Sequence, residues 1–495
     1  MHILTAFLAL LSCALIGTGV WLVLRDVRRV APREPAQAPS GEVRPIASAR
    51  AGAKTTLVEQ YGFLGGMATA ASVGPFSPFH YDDQQITMGI PQELVERLMA
   101  AGGSTGHLKC VPEYGSGSYM AYFDREVYKQ VAFDMVQEAG VRLLLHSFIG
   151  GTVVDGKRVR GVQVANKSGF QQVLGKVTVD ATGDGDVSAR GGCQIQWGRK
   201  SDNLGQPMTM FFEMANVDTG ALRAYIAEHP EDFEWTSTLH SRTPLPKHLN
   251  QHYFVAQGFR KAAAEAMARG ELHLGRDTVL LQSTMREGMI VFNSTRVGKL
   301  KGTDIDDFTK AEIEGRKQAM SLAAFARKYI PGFENAYVCS TGAQIGVRES
   351  RHVIGEYVLT QDDVVEGRRF RDVIARGFFP VDIHSPTSGG GYAGGSTWIK
   401  PKAPYDIPMR CVVPKGVDGL VMTGRNISAA HEAHGSLRVQ GTVFAIGHGS
   451  GVVAATAALA GVEPRQVDIH KVHKTLIAQR ANLELEGLSL APAAD

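Results

Sequence analysis

The feature that most constrains the fold is a short apolar strand that runs into an acidic residue and then into a glycine-rich turn. Residues 55–58 read Thr-Thr-Leu-Val, Glu59 follows at once, and the turn over residues 62–66 contains three glycines. A parallel sheet that binds a dinucleotide places an acidic side chain after its second strand, where it binds the adenosine ribose. Glycines serve where backbone approaches the pyrophosphate. The pattern therefore predicts an α/β nucleotide-binding sheet.

The α/β pattern continues along the chain. A helix is predicted after Asp124, a good N-cap, because valine and methionine then recur at four-residue spacing. Residues 141–145 form a buried strand, and Asp155-Gly156 indicates a hairpin turn. A further strand over residues 176–179 leads into the glycine-rich stretch 180–186.

The domain organisation is predicted to be discontinuous. Residues 206–404 carry amphipathic helices and separate strands, which indicate an inserted α+β substrate or cap domain. The scaffold returns at residue 405, with a strand over residues 419–422 and a small-residue helix from Gly447 to Ala460. A Rossmann-like domain is thus predicted from residues 31–205 and 405–495, after an apolar segment over residues 1–30.

Composition excludes several classes of function. A net charge of +3 over 495 residues, without blocks of like charge, argues against nucleic-acid binding. The five cysteines are scattered and no Cys-x-x-Cys pair occurs. We therefore expect no metal site, no iron–sulfur cluster held by this chain alone, and a reducing compartment.

The N-terminus allows three interpretations. Residues 3–24 carry no charge and are long enough to span a membrane as a helix. Arg25, Arg28 and Arg29 follow, which predicts a membrane anchor with the catalytic body in the cytoplasm. A cleaved signal peptide is the second interpretation, although the usual basic start is missing. The third is that the segment is not native sequence.

Four ordered stretches resemble the FAD-dependent oxidoreductase family that is related to the flavoprotein part of heterodisulfide reductase. They are residues 52–66, 180–186, 345–351, and 424–428 leading into 431–439, and the resemblance spans about residues 47–470. It implies that FAD is the cofactor and that Glu59 binds its ribose. It further implies cofactor-binding roles for Gly65 and Gly66 at the pyrophosphate, Gly183 and Asp184 at the adenosine side, and Gly424, Arg425, Gly447 and Gly451 at the diphosphate and flavin end.

The chain departs from the family at the first phosphate loop. Where a strand and Gly-x-Gly-x-x-Gly are expected, residues 36–41 read Ala-Gln-Ala-Pro-Ser-Gly and keep only Gly41 as a cofactor-binding glycine. Methyl groups at Ala36 and Ala38 would crowd the turn. With GC-rich synonymous codons, residues 33–45 read in a shifted frame as Gly-Ala-Gly-Ala-Gly-Ala-Val-Gly-Gly-Ser-Ala-Ala, which contains the missing loop. We hypothesise a frame artefact, which sequencing of the coding DNA tests.

Candidate catalytic residues are charged groups near the expected flavin: Arg348, Glu349, Arg351, His384, His431, His434 and Arg438. Arginine suits carboxylate binding and histidine exchanges protons near neutral pH. The predicted function is hydride transfer between a small organic substrate and FAD. One alternative is a non-catalytic or FAD-deficient relative, because the loop is lost. Another is a flavoprotein that passes electrons to an iron–sulfur partner protein.

Overall fold

The computed structural model describes residues 46–114, 117–387 and 397–485, all within one compact unit, Gln37–Asp495. The predicted anchor at residues 3–24, the stretch 33–45 and Gly41 lie outside the described residues. The anchor and the cytoplasmic location stay predictions.

The helices, in chain order, are α1 (Ile46–Arg50), α2 (Met67–Ala70), α3 (Ile90–Ala100), α4 (Arg125–Glu138), α5 (Asp186–Arg190), α6 (Thr219–Glu228), α7 (Arg260–Ala268), α8 (Ile305–Tyr329), α9 (Gln361–Val365), α10 (His431–Leu437), α11 (Gln440–Ala460) and α12 (Ile469–Ala478). The strands are β1 (Thr56–Val58), β2 (His80–Tyr81), β3 (Gln84–Gln85), β4 (Ser104–Tyr114), β5 (Gly117–Phe123), β6 (Arg142–Leu144), β7 (Phe148–Asp155), β8 (Arg158–Asn166), β9 (Gly169–Leu174), β10 (Thr178–Asp180), β11 (Ile195–Trp197), β12 (Phe212–Ala215), β13 (Phe233–Ser241), β14 (Tyr253–Gly258), β15 (Val279–Ser283), β16 (Ile290–Phe292), β17 (Tyr337–Thr341), β18 (Arg351–Val353), β19 (Val373–Gly377), β20 (Val381–Ile383), β21 (Thr397–Ile399), β22 (Tyr405–Pro408) and β23 (Leu420–Met422).

Two pairs of parallel strands position the nucleotide-binding motifs. Strand β1 pairs with β6, and β10 pairs with β23, so that Asp180 lies opposite Met422. The predicted strands at these places are confirmed, with ends shifted by one or two residues. Within the described ranges each pair forms a separate two-stranded sheet. In a doubly wound sheet, the strand that comes first in the sequence lies between the second strand and the strands that follow in the sheet order.

A large antiparallel sheet forms the other main layer. Its eight strands follow the order β17-β12-β16-β15-β14-β13-β4-β5. Helix α8 packs on it through a buried face of alanine, leucine and phenylalanine, and the rings of Phe212 and Phe292 stack at 4.7 Å. Strands β4 and β5 precede residue 206, the predicted start of the inserted domain. The domain boundaries stay predictions.

Helix α11 is the core helix of the nucleotide-binding part. It begins at Gln440, so the prediction that the helix starts at Gly447 was wrong; Val439 at the N-cap makes no side-chain cap that could have marked the start. Small residues let neighbours approach closely, since a Cβ on Gly449 would lie 2.5 Å from the carbonyl oxygen of Ile374. Among the described helices α11 alone is long and apolar enough to cross a membrane. Because 61% of its apolar window is buried in the fold, we interpret it as a core helix.

Candidate active and cofactor-binding site

Glu59 lies at the carboxyl end of β1, as the sequence predicts. Its Oε1 accepts a hydrogen bond from the backbone amide of Tyr61 at 2.9 Å, and burial raises the pKa of its carboxyl group. Gly65 and Gly66 then turn the chain into α2 with φ values of 112° and 56°. A Cβ on Gly66 would meet open space, whereas one on Gly65 would come within 2.5 Å of Thr69. The positive φ values explain both glycines.

A buried carboxylate shapes the turn after β10. Asp180 accepts hydrogen bonds from the amide and hydroxyl of Thr182 and from the amide and hydroxyl of Ser188. The turn that it holds contains Gly183, with a φ of 78°, and Asp184. Asp180 therefore has a structural role that the resemblance did not assign.

Asp184 joins three of the sequence motifs. Its Oδ1 accepts from Nη2 of Arg425 at 2.9 Å and from Oγ of Ser350 at 2.7 Å. Arg351 donates to the backbone carbonyl of Asp184 at 3.0 Å and to the carboxylate of Asp186 at 2.9 Å. The stretches 180–186, 345–351 and 424–439 thus meet at the carboxyl ends of β10 and β23.

Unsatisfied polar atoms at this place fit a bound cofactor. Oγ1 of Thr423, Nη1 of Arg425 and Oδ1 of Asn426 are buried and have no hydrogen-bond partner within the part of the chain that the structure describes. Gly424, with a φ of 82°, faces open space. Buried polar atoms are normally satisfied, so this group of a hydroxyl, a guanidinium donor and an amide oxygen suits the phosphates and polar ring edges of FAD.

Gly447 and Gly451 differ in their surroundings. A Cβ on Gly447 would meet only Oγ1 of Thr423, at 4.0 Å, so Gly447 faces the unsatisfied group. The carbonyl of Gly451 accepts from Oγ of Ser48 at 2.6 Å. Gly451 thus contributes to the contact between α11 and α1, and the predicted role of Gly447 as a helix-start glycine does not hold because α11 begins earlier.

Glu349 is the centre of a buried histidine cluster. Its Oε1 lies 2.7 Å from Nδ1 of His431 and 2.9 Å from Nε2 of His352, and its Oε2 accepts from the amide of Gln206 at 2.9 Å. Burial alone would raise the pKa of Glu349, but the hydrogen bonds from both histidines outweigh burial and hold that pKa well below its usual value. Glu349 is therefore ionised at neutral pH.

His434 lies beside this cluster. Its Nε2 is 3.1 Å from the carbonyl oxygen of Arg425, and burial lowers its pKa well below the usual value. Glu349, His352 and His434 offer atoms within 4.8 Å of one another that could hold a metal ion. Since hydrogen bonds already join His352 and His431 to Glu349, we interpret the group as a hydrogen-bonded network.

A second acid–histidine pair continues the network. Nε2 of His384 lies 3.3 Å from Oδ2 of Asp382, which also accepts from Arg438 at 3.0 Å. Burial alone would raise the pKa of Asp382, but the neighbouring His384, Arg438 and Arg348 hold it below its usual value. Burial lowers the pKa of His384 to about 4. Oε1 of Gln206 accepts from the amide of His384 and from Arg438, which links both clusters.

The predicted catalytic residues thus gather in one region. The fold adds Gln206, His352 and Asp382 to this region, which the sequence alone does not single out. Two of these have a local signal, since His352 follows Glu349 by three residues and Asp382 precedes His384 by two. Gln206 has none, because only tertiary packing brings it to Glu349, 143 positions away.

Parallel strands, an acidic residue directly after the first of them and unsatisfied polar atoms at the strand ends are typical of an α/β protein that binds a nucleotide cofactor. The model of the family described as FAD dependent oxidoreductase matches residues 39–476. The chain therefore belongs to this family, its cofactor is FAD, and its general function is FAD-dependent oxidation and reduction.

Other comparisons are more distant. No curated protein matches the chain. Among solved structures, GidA of Aquifex aeolicus is 14% identical, with 85% of this chain and 62% of that chain covered and a TM-score of 0.42. L-proline dehydrogenase from P. horikoshii is 10% identical, with 90% and 99% covered and a TM-score of 0.37. A geranylgeranyl bacteriochlorophyll reductase-like protein from Thermoplasma acidophilum is 12% identical, with 88% and 80% covered and a TM-score of 0.38.

Proposed function

We propose that the protein transfers a hydride between a small organic substrate and FAD, with His384 accepting the proton that the substrate releases. The observation that carries the proposal is the pair of His384 and the buried Asp382, 3.3 Å apart. FAD, when bound, supplies the hydride acceptor. The chain must bind the substrate and take its proton.

The charge states of the pair are those proposed for proton acceptance. With a pKa of about 4, His384 is neutral at pH 7, the form in which an imidazole accepts a proton. Asp382 is ionised, orients the ring and stabilises the imidazolium that forms. Glu349, His431 and His434 are proposed to hold the loop of His384 in place, because the backbone amide of Gln206 donates to Glu349 and the side chain of Gln206 accepts from the backbone amide of His384.

Glu59, Gly66, Asp184, Gly424, Arg425 and Gly447 are proposed to bind FAD, and Arg348, Arg351 and Arg438 to position the substrate or the cofactor. The iron–sulfur partner, the relation to heterodisulfide reductase and the FAD-deficient alternative stay predictions.

Replacement of the base tests the proposal. The protein is saturated with added FAD and mixed anaerobically with a panel of alcohols, amines and hydroxy acids, and the compound that bleaches the flavin is used for stopped-flow measurement. His384→Gln and Asp382→Asn should slow bleaching by about 10²- to 10⁴-fold at unchanged FAD content, because proton transfer is lost.

His470→Gln serves as the control, since His470 is an exposed histidine of α12. It should bleach at the parental rate. Parental rates in His384→Gln would show that His384 is not the proton acceptor.

A further inference from the structure

Three arginines surround the pair of His384 and Asp382. Arg438 donates to Asp382 at 3.0 Å. Arg296 donates to the backbone carbonyl of Ser385, the residue after His384. Arg348 donates to the carbonyl of Pro207 at 2.8 Å and to the hydroxyl of Thr209. Two loops, around residues 206–209 and 382–385, thus bring three guanidinium groups to one place.

Among the described residues, the charges that act on Arg296 and Arg348 include those of Arg276, Arg438, Asp277 and Asp382, so that four arginines share two carboxylates. Asp382 is the carboxylate that the pair contributes, and nearby Asp277 already binds Arg260. Burial and then the charge of Arg438 lower the pKa of Arg348 to about 9. Burial and then the charge of Arg276 lower the pKa of Arg296 to about 10. Partly buried guanidinium groups that repel one another are destabilising unless an anion compensates them.

Two donors in the same place are unused. Nε of Arg438 and Nε2 of Gln206 are buried and have no hydrogen-bond partner among the described residues. Gln206 is only 3% exposed. Its other amide atom, Oε1, accepts from His384 and Arg438, so its NH₂ group is fixed next to them. Unsatisfied buried donors beside excess positive charge are what an anion-binding subsite requires before its ligand arrives.

We infer that Arg296, Arg348, Arg438 and Gln206 form a subsite for an anionic oxygen group of the substrate, a carboxylate or a phosphate. This inference rests on the proposed function in one respect, since the subsite places the ligand beside the proposed base His384. Guanidinium groups bind such anions through paired N–H donors. A neutral amide ligand of the same shape lacks the negative charge of the anion and cannot replace it. The substrate class is therefore an organic acid or a phosphorylated compound.

Calorimetric titration of the FAD-loaded protein tests the subsite without catalysis. Succinate and phosphate are the two anionic probes, and succinamide is the neutral analogue of succinate. At least one anion should bind while succinamide does not, and which anion binds distinguishes a carboxylate from a phosphate ligand. Binding should weaken about 10- to 100-fold in Arg348→Gln and in Arg296→Gln, and less in Arg348→Lys, which keeps the charge.

Arg269→Gln is the control, because Arg269 is an exposed arginine that pairs with Glu271. It should bind the anion as the parent does. Circular dichroism and FAD content identify a variant that has lost its fold. If one of the two arginine variants is unfolded, anion binding by the other variant tests the subsite. Equal binding of succinate and succinamide, or parental binding by folded Arg348→Gln and Arg296→Gln, would overturn the subsite. Loss of bleaching in His384→Gln with intact anion binding would separate the two proposals.

Discussion

At the scale of single residues, two aspartates of one turn have different tasks. Asp180 is fully buried, and four donors from Thr182 and Ser188 satisfy its carboxylate, so it maintains the turn. Asp184 instead binds Arg425 and Ser350 from other parts of the chain. Residue type and motif position alone cannot separate these tasks, because the difference lies in which donors the fold supplies.

Glu59→Ala should weaken the retention of FAD. Loss of the carboxylate leaves ribose hydroxyls without their acceptor, at a cost of about 1–3 kcal/mol, or about 5- to 150-fold in the dissociation constant. Flavin fluorescence after dialysis measures the effect. Glu228→Ala, at the exposed end of α6, is the control and should retain FAD like the parent. Equal retention in both variants would remove Glu59 from the cofactor site.

At the scale of elements, the described part of the nucleotide-binding sheet consists of two parallel pairs. The described chain begins with α1, and Ser48 of α1 bonds to Gly451 of α11. The short helix and β1 therefore occupy the positions that follow a phosphate loop in a Rossmann-like domain. Residues 25–45 are rich in arginine and proline, and proline removes ladder donors, so they are poorly suited to supply the first strand.

Replacing residues 1–45 by an apolar strand and Gly-Ala-Gly-Ala-Val-Gly should strengthen FAD binding. The new strand can pair with β1 and β10, and the loop adds amide donors for the pyrophosphate. We expect the chain as written to bind FAD weakly and the replaced chain to purify with about one flavin per molecule, measured from its absorbance.

The matched control carries the same strand with alanine at the first two glycines of the loop. Because the added methyl groups crowd the pyrophosphate, this control should bind less FAD than the glycine version. Tight stoichiometric binding by the unmodified chain would contradict the account of the missing loop.

At the scale of the whole molecule, burial of histidines couples stability to pH. Burial lowers the pKa of His107 to about 3, and the pKa values of His384 and His448 to about 4. An unfolded histidine has a pKa of about 6.5. Between these values the unfolded chain binds protons that the folded chain does not. Stability contributed by neutral histidines is therefore present above pH 6.5 and lost as pH falls toward 4.

The free energy of unfolding should fall as pH is lowered from 6.5 to 5, by up to about 1.4 kcal/mol per pH unit for each such histidine. Urea unfolding at several pH values measures the slope. His448→Gln should reduce the slope of unfolding free energy against pH by the contribution of one histidine. His470→Gln, at an exposed position, should leave the slope unchanged. An unchanged slope in His448→Gln would show that His448 titrates equally in both states.

The α/β fold class and the FAD-dependent oxidoreductase family could be predicted from the sequence, because both depend on local patterns. The strand before Glu59, the N-cap Asp124 and the glycine-rich turns encode backbone conformation within a few residues. The start of α11 at Gln440 could not be predicted from a local pattern, because no capping side chain marks it.

Tertiary structure alone decided how the candidate site is connected. Asp382 and Gln206 stand far apart in sequence, and their roles follow from hydrogen bonds to Arg438, His384 and Glu349 that exist only after folding. The same holds for the charge state of the histidines, since a pKa depends on burial and on neighbouring charges. Local patterns specify backbone geometry, whereas proton affinity and charge balance arise from groups that packing brings together.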